Sequence, residues 1–301
     1  MSIKLYDISN KKFIEENVPA ENFMRFLYDN PFGRFATWAL FKRAFFSKIC
    51  GLWADSGISK GTIASFVKSN NIDENEFLLP QSSYKTFNDF FTRELKDGAR
   101  EIAEKENSNV ISLPSDGRHL LVKNITEATS FYVKGQKFNL AKFLGNKKLA
   151  EAFEGSDMLI SRLAPVDYHR FHFAISGEIV ARKQINGALL SVSPIALVPR
   201  LSVFWENKRV LNVIDNAQLG HCLFVEIGAT NVGSIVNFSK IGDNVERGQQ
   251  AGMFRFGGSC VVSLFPKDRI TWDETLLEMS QQNIECYGHV GMKCGVISND
   301  A

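Results

Sequence analysis

The sequence predicts an α+β protein, with a helical N-terminal region followed by a β-rich, mainly antiparallel body. Two observations carry that expectation. Over the first hundred residues, apolar side chains recur at three- and four-residue spacings. From about Val110 onward, short β-branched and aromatic runs alternate with turn dipeptides such as Asp116-Gly117, Ser176-Gly177, Asn186-Gly187 and Gly242-Asp243. We expect a boundary near residue 100, with a helical part over 1–100 and a β-rich body over 101–301.

The helical spacings fall at 21–28, 35–52, 60–69 and 87–95, with Asn30-Pro31 and Asp55-Ser56-Gly57 as breaks. Residues 71–83 are polar and read as a loop. A further helix is expected at 140–153, where Leu140, Phe143, Leu144, Leu149 and Phe153 are apolar. Strands are expected at 120–122, 159–162, 171–175, 179–182, 189–192, 223–227, 234–238 and 260–265. The spacing of turns favours hairpins over βαβ units.

Composition removes several classes. The 301 residues are 45% hydrophobic and 23% charged, which excludes disorder, a collagen-like chain and a disulfide scaffold. Lys plus Arg number 35 against 33 Asp plus Glu, a net charge of +2 that gives no electrostatic case for a nucleic-acid partner. The five cysteines are scattered without a CxxC pair, as expected of free thiols in a reducing compartment. The first ten residues look like neither a signal nor a transit peptide. No uncharged apolar run of about 18 residues occurs, so no spanning helix is expected. Phe is in excess, at 25, and thirteen of these fall within the first 91 residues.

Three clusters can carry chemistry. Leu113-Pro114-Ser115-Asp116-Gly117 reads first as a turn that can present a carboxylate. Asp167-Tyr168-His169-Arg170-Phe171-His172 places two of the five histidines three residues apart, on opposite faces if the segment is a regular strand. Either is a candidate acid or base where geometry supports it. Metal-ligand spacing is missing, so no metal is expected. Phe254-Arg255-Phe256-Gly257-Gly258-Ser259-Cys260 lacks the second glycine of a nucleophile elbow and the Lys-Ser/Thr of a Walker loop. It does set a hydroxyl beside a peptide bond whose carbonyl belongs to a glycine with no side chain to block attack.

Taken together and in order, these clusters resemble the phosphatidylserine decarboxylases, a pyruvoyl-dependent family. The resembling residues are Phe87-Asn88-Asp89-Phe90-Phe91-Thr92-Arg93, Pro114-Ser115-Asp116-Gly117, the Asp167–His172 cluster, Val225-Glu226-Ile227-Gly228-Ala229-Thr230-Asn231-Val232-Gly233-Ser234, and Phe256-Gly257-Gly258-Ser259. Each motif alone is weak, whereas the ordered set is specific and covers most of the chain. The resemblance implies self-cleavage between Gly258 and Ser259, giving chains 1–258 and 259–301. Ser259 then becomes a covalent pyruvoyl group that forms a Schiff base with phosphatidylserine and releases phosphatidylethanolamine. It also implies a triad of Asp116, His172 and Ser259, with His172 as base and Asp116 orienting it. His169 is the favoured proton carrier in decarboxylation, with His172 as its competitor. Cys260 stands where the family often has Thr or Ser, and its apolar neighbours argue for an inert thiol. Arg118 and His119 match no required position.

A lipid substrate implies contact with a bilayer. Residues 33–54 carry Arg34, Lys42, Arg43 and Lys48, no acid, and nine large apolar or aromatic residues. That is part of an interfacial-helix signature, although the cations do not gather opposite the apolar side. The implied setting is the cytoplasmic face of the cell membrane, with the protein peripheral and its two chains possibly paired as a homodimer. A decarboxylase of another amino acid or aminophospholipid, or a non-enzymatic lipid-binding protein on the same scaffold, is the alternative. Loss of Asp116, His172 or Ser259 would favour the latter, and all three are present.

Overall fold

The computed structural model describes residues 3–16, 51–126, 138–193, 197, 201–228, 235–257 and 259–298. Its described strands form one ten-stranded sheet and two three-stranded sheets. Across the large sheet run β11 (Asn244–Val245), β7 (Gly177–Ile185), β8 (Arg209–Asn216), β9 (Gly220–Gly228), β13 (Ser259–Phe265), β5 (Asp157–Leu163), β4 (Gly117–Val122), β15 (Glu285–Gly288), β1 (Ile3–Asp7) and β2 (Lys12–Glu16). Every adjacent pair is antiparallel except β1 with β15. One small sheet orders β10 (Ile235–Asn237), β12 (Gln250–Phe254) and β6 (Arg170–His172). The other orders β14 (Ile270–Trp272), β16 (Lys293–Ile297) and β3 (Val110–Ser112). The α+β class and the antiparallel body expected from the sequence are what the molecule shows.

β13 explains why its stretch reads as an unbroken apolar run. It is paired on both edges and buried on both faces, so all seven residues are inside. Val261 and Phe265 enter one core with Phe171, Phe224 and Phe254, under the small sheets and α6 (Glu274–Gln281). Cys260, Val262 and Leu264 enter the opposite core, beneath α3 (Leu140–Leu144), α4 (Lys147–Ala152) and α5 (Val203–Glu206).

Several expectations change. Residues 3–16 belong to the sheet and not to the helical part: Leu5 and Asp7 are buried while their neighbours are not, the period of a half-buried strand. The single helix expected over 140–153 is two. α3 ends at Gly145 in the left-handed conformation (φ 59°), and α4 restarts with the Asn146 side chain accepting from the Leu149 N–H. Residues 189–192 form no strand, and β8, which the sequence reading did not expect, buries the polar Arg209 and Asn212 among apolar residues. The helical spacing at 21–28 and nearly all of 35–52 lie outside the described residues.

The described part of the helical region holds a helical stretch over 51–54, a 3-10 turn at Gly57–Thr62, α1 (Ile63–Ser69) and α2 (Phe87–Phe91). Its Phe excess is in part a core. Phe77, Phe87, Phe90 and Phe91 bury against Ile63, Val67 and Tyr84, with Phe66 packed on them. Ring centroids of Phe66, Phe87 and Phe90 lie 5.2–6.0 Å apart at steep angles.

Gly117 opens β4 with φ +146°, and a Cβ there would sit 2.1 Å from the Arg162 carbonyl oxygen. The close approach of β4 to β5 therefore requires glycine. Gly117→Ala is expected to cost roughly 3 kcal/mol or more, through backbone strain and a contact with main chain that cannot yield. A urea-unfolding midpoint equal to that of the wild type would refute this.

Candidate active site

Ser259 is the first residue of β13, opposite Leu163 of β5 and Gly228 of β9, and it is fully buried. Its Oγ lies 3.3 Å from His169 Nδ1. The other ring nitrogen, Nε2, is 2.9 Å from the Ala164 carbonyl oxygen. A carbonyl only accepts, so Nε2 carries the proton and Nδ1 presents a lone pair to which the Ser259 hydroxyl donates. The ring is stacked on Phe91 at 3.8 Å and 22°. α2, which carries Phe91, begins with a capping box between Thr86 and Asp89. Burial, reinforced by the nearby Arg93 cation, pushes the His169 pKa down to about 3. His169 is therefore neutral at physiological pH, and a cation on it is strongly disfavoured.

A chain of buried charges holds the loop behind His169. Asp167 accepts from the Ala164 N–H at 2.6 Å and is ion-paired with Arg118. Arg118 Nε lies 2.8 Å from Glu16, at the end of β2. Arg162 reaches the same Glu16 at 3.4 Å and donates from Nε to Glu285 at 2.6 Å. The N-terminal hairpin is thus tied electrostatically to the loop that orients His169. Arg118, which no motif marked, has this structural place. His119 is also buried, with Nδ1 2.9 Å from the Ser161 hydroxyl, and desolvation pushes its pKa down to about 4.

His172 lies beside the turn that carries Asp116: its N–H donates to the Pro114 carbonyl at 2.7 Å. Its Nδ1 is 2.7 Å from the Gly248 carbonyl oxygen, so Nδ1 is protonated and Nε2 is the basic nitrogen. That Nε2 is buried and has no partner among the described residues. Burial lowers the His172 pKa, while the Asp116 carboxylate favours its protonated form. Asp116 is itself gripped by Arg100, whose Nε lies 2.9 and 3.0 Å from its two oxygens, and by the Val290 N–H at 2.9 Å. Arg100 also donates to Glu76 at 2.8 Å.

The structure therefore brings Ser259 and His169 into direct contact and places the Asp116 turn against His172. Among the described residues, no hydrogen bond joins Asp116 to His172 or His172 to Ser259. Gly258 lies outside the described residues. Cys260 points into the opposite core, and burial raises its thiol pKa, as its apolar neighbours predicted. The described cysteines, Cys222, Cys260, Cys286 and Cys294, are free and buried.

Sequence reasoning missed two site residues. Arg100 sits in a loop with no signal of its own. Glu226 was quoted within a motif but given no role. It lies opposite Val261, two residues along from the Ser259–Gly228 pair, so it shares a sheet face with Ser259. Burial pushes its pKa up to about 8, although Asn212 donates to its Oε1 at 2.7 Å. Burial thus favours its neutral, protonated form. No cluster of three or more potential metal ligands occurs among the described residues.

Comparison with known proteins identifies the family. The family model for phosphatidylserine decarboxylase matches residues 87–292, which span α2, both histidines and Ser259. A phosphatidylserine decarboxylase proenzyme of Fusobacterium nucleatum is 43% identical over 280 residues, covering 93% of each chain. The proenzyme of Clostridium novyi is 38% identical over 97% of this chain and 99% of its own. That of Chlamydia trachomatis serovar D is 37% identical over 94% of each. The chain belongs to the phosphatidylserine decarboxylase family, and it is an enzyme of that type.

The depressed histidine has a consequence for stability. An unfolded histidine titrates near pH 6.5, whereas folded His169 titrates near 3. Its contribution is complete above about pH 6.5 and is lost as the pH falls toward about 3, because the unfolded chain binds the proton first. His169→Gln should therefore flatten the acid side of a plot of urea midpoint against pH, and unchanged curvature would remove His169 as its source.

Proposed function

We propose that this protein decarboxylates phosphatidylserine to phosphatidylethanolamine, using a pyruvoyl group that it makes from Ser259. The observation that carries this reading is a buried serine at the head of a central strand, with two neutral, carbonyl-anchored histidines beside its turn and loop. The names of the relatives, proenzymes of that activity, support it.

In the self-processing step, the Ser259 hydroxyl adds to the Gly258 carbonyl and its proton passes to a base. The C–N bond between Gly258 and Ser259 breaks as an ester forms, and the Ser259 nitrogen takes up that proton. Removal of the Ser259 Cα proton expels the carboxylate of chain 1–258. Water then converts the remaining enamine to a ketone, releasing ammonia.

Electrostatics divide the two histidines. Although the hydroxyl touches His169, an imidazolium there would face Arg93 across a desolvated site. At His172 the cation is favoured by Asp116, which acts against burial and the Arg170 cation. His172 is therefore the stronger base for activating Ser259, with Asp116 stabilising its protonated form, as in the Asp-His-Ser pattern. Loose catalytic contacts before reaction are ordinary. The residues fit a pyruvoyl group at position 259: His169 Nδ1 lies 3.3 Å from Ser259 Oγ, the atom that departs with chain 1–258, so the imidazole stands beside the carbon that becomes the methyl group next to the ketone. When present, that ketone condenses with a primary amine and accepts the electron pair released as carbon dioxide leaves. His169 holds or relays a proton at that position.

Intact-mass measurement under denaturing conditions tests this division. Wild type is expected to give chains 1–258 and 259–301, the second resistant to N-terminal sequencing. Ser259→Ala and His172→Ala should stay uncut or cut about a hundredfold more slowly. His169→Ala should cut yet release little carbon dioxide from phosphatidylserine. An uncut wild type with full activity would sink the mechanism. Uncut His169→Ala beside normally cut His172→Ala would reverse the two roles.

We further propose peripheral docking on the cytoplasmic face of the cell membrane through residues 33–54, and pairing of the processed protein as a homodimer. Most of that segment lies outside the described residues, but its described end exposes Leu52 and Trp53, at 65% and 40%. Among the described residues, no helix is long and apolar enough to cross a membrane. Neutralising Arg34, Lys42, Arg43 and Lys48 together should reduce pelleting with phosphatidylserine liposomes several-fold, since each basic residue near an anionic surface contributes roughly 1 kcal/mol. Equal pelleting would remove the region from the docking surface.

A further inference from the structure

The chain immediately before the proposed cleavage site is fastened to α2. The Phe256 N–H, two residues ahead of Gly258, donates to Asn88 Oδ1 at 2.7 Å. Asn88 Nδ2 donates to Asp55 Oδ1 at 2.7 Å, and Arg255 donates to the same oxygen at 2.5 Å. Asn88 is buried, so neither half of its amide has water to fall back on. The Phe256 ring packs edge-on against Phe87 at 5.1 Å and Phe91 at 5.3 Å, with Trp53 at 6.2 Å. Gly257 has φ +140°, a conformation that leaves the link to Gly258 little choice of residue.

On the other side of the same peptide bond, Ser259 is fixed by β5 and β9. The Phe91 ring that seats Phe256 is also the one stacked on His169. One five-residue helix therefore touches the acyl side of the bond and a histidine of the site at once.

We propose that Asn88 is a positioning residue for self-cleavage: by holding the Phe256 N–H, it sets where the Gly258 carbonyl stands relative to the Ser259 hydroxyl. The inference rests on the self-processing reading above. An amide is the side chain suited to this place, because it accepts from a backbone N–H while donating to a carboxylate. Intramolecular attack needs the reacting atoms about 3–3.5 Å apart, and a displacement of about 1 Å can slow it a hundredfold.

The test follows the rate at which fragment 259–301 appears in freshly made full-length protein. Asn88→Ala should slow it by between about tenfold and a hundredfold. Asn88→Asp should also be slow, since it sets a second carboxylate against Asp55. The double variant Asn88→Asp with Asp55→Asn restores a donor–acceptor pair, reversed in sense, that still accepts from Phe256. It should return to within about threefold of wild type, a rescue that general loss of folding would not show. If Asn88→Ala fails to fold, the single and double Asp variants carry the test alone. Hydroxylamine locates the block, because it releases any accumulated ester: slow variants should yield no extra fragment, placing the delay at attack. Wild-type cleavage by Asn88→Ala, absence of rescue by the double variant, or an ester that accumulates would each overturn the role of Asn88. A wild type that never cuts would instead overturn the self-processing reading.

Discussion

The double pairing of β13 is the constraint on which the site depends. A strand bonded on both edges cannot slide or turn over without breaking two ladders, and one residue of slip would send every side chain to the opposite core. Ser259 opens this strand, so its orientation is inherited from the whole sheet. Val261 and Phe265, packed in the same core, keep it facing the histidines. Cys260 and Val262 hold the opposite face. Ser259 thus holds the most constrained kind of position in the fold, whereas Phe256 and Gly257 just before it belong to no ladder and are held by side chains instead.

Around this point, charge is arranged so that both histidines are neutral yet unequal. Each donates one ring proton to a main-chain carbonyl, which leaves the opposite nitrogen basic. Both are desolvated, but their neighbours differ: guanidiniums alone beside His169, and for His172 the Asp116 carboxylate set against the Arg170 guanidinium. The ionic chain through Asp167, Arg118, Glu16, Arg162 and Glu285 lies behind the His169 loop. Buried pairs of this kind add little net stability, but losing one member strands the others. Their effect here is to fix a loop that has only short backbone ladders of its own.

Much of this was legible in the sequence because β-branched runs and Gly-containing turns are local signals. The class, the antiparallel body and the run from Cys260 to Phe265 could be read directly, and the ordered motifs singled out Ser259, both histidines and Asp116. What could not be read are facts of distance. No spacing shows that Arg100 grips Asp116, that Asn88 meets Phe256 across more than 160 residues, or that Ser259 touches His169 and not His172. β1 and β2 escaped because five-residue strands with polar outer faces carry little signal. β8 escaped because Arg209 and Asn212 bury through hydrogen bonds, which hydropathy counts as exposure.

Residues 259–298 are distributed through the molecule: β13 lies inside the large sheet, β15 between β4 and β1, and β16 between β14 and β3. A break before Ser259 therefore frees no separable piece. The short chain would remain interlaced with the long one, and leaving would require opening both cores. Once separated, however, the two chains would lack the peptide bond whose rupture made the ketone. A protein cut at that bond would fold as one molecule, work as two, and carry an active centre that the assembly pathway writes only once.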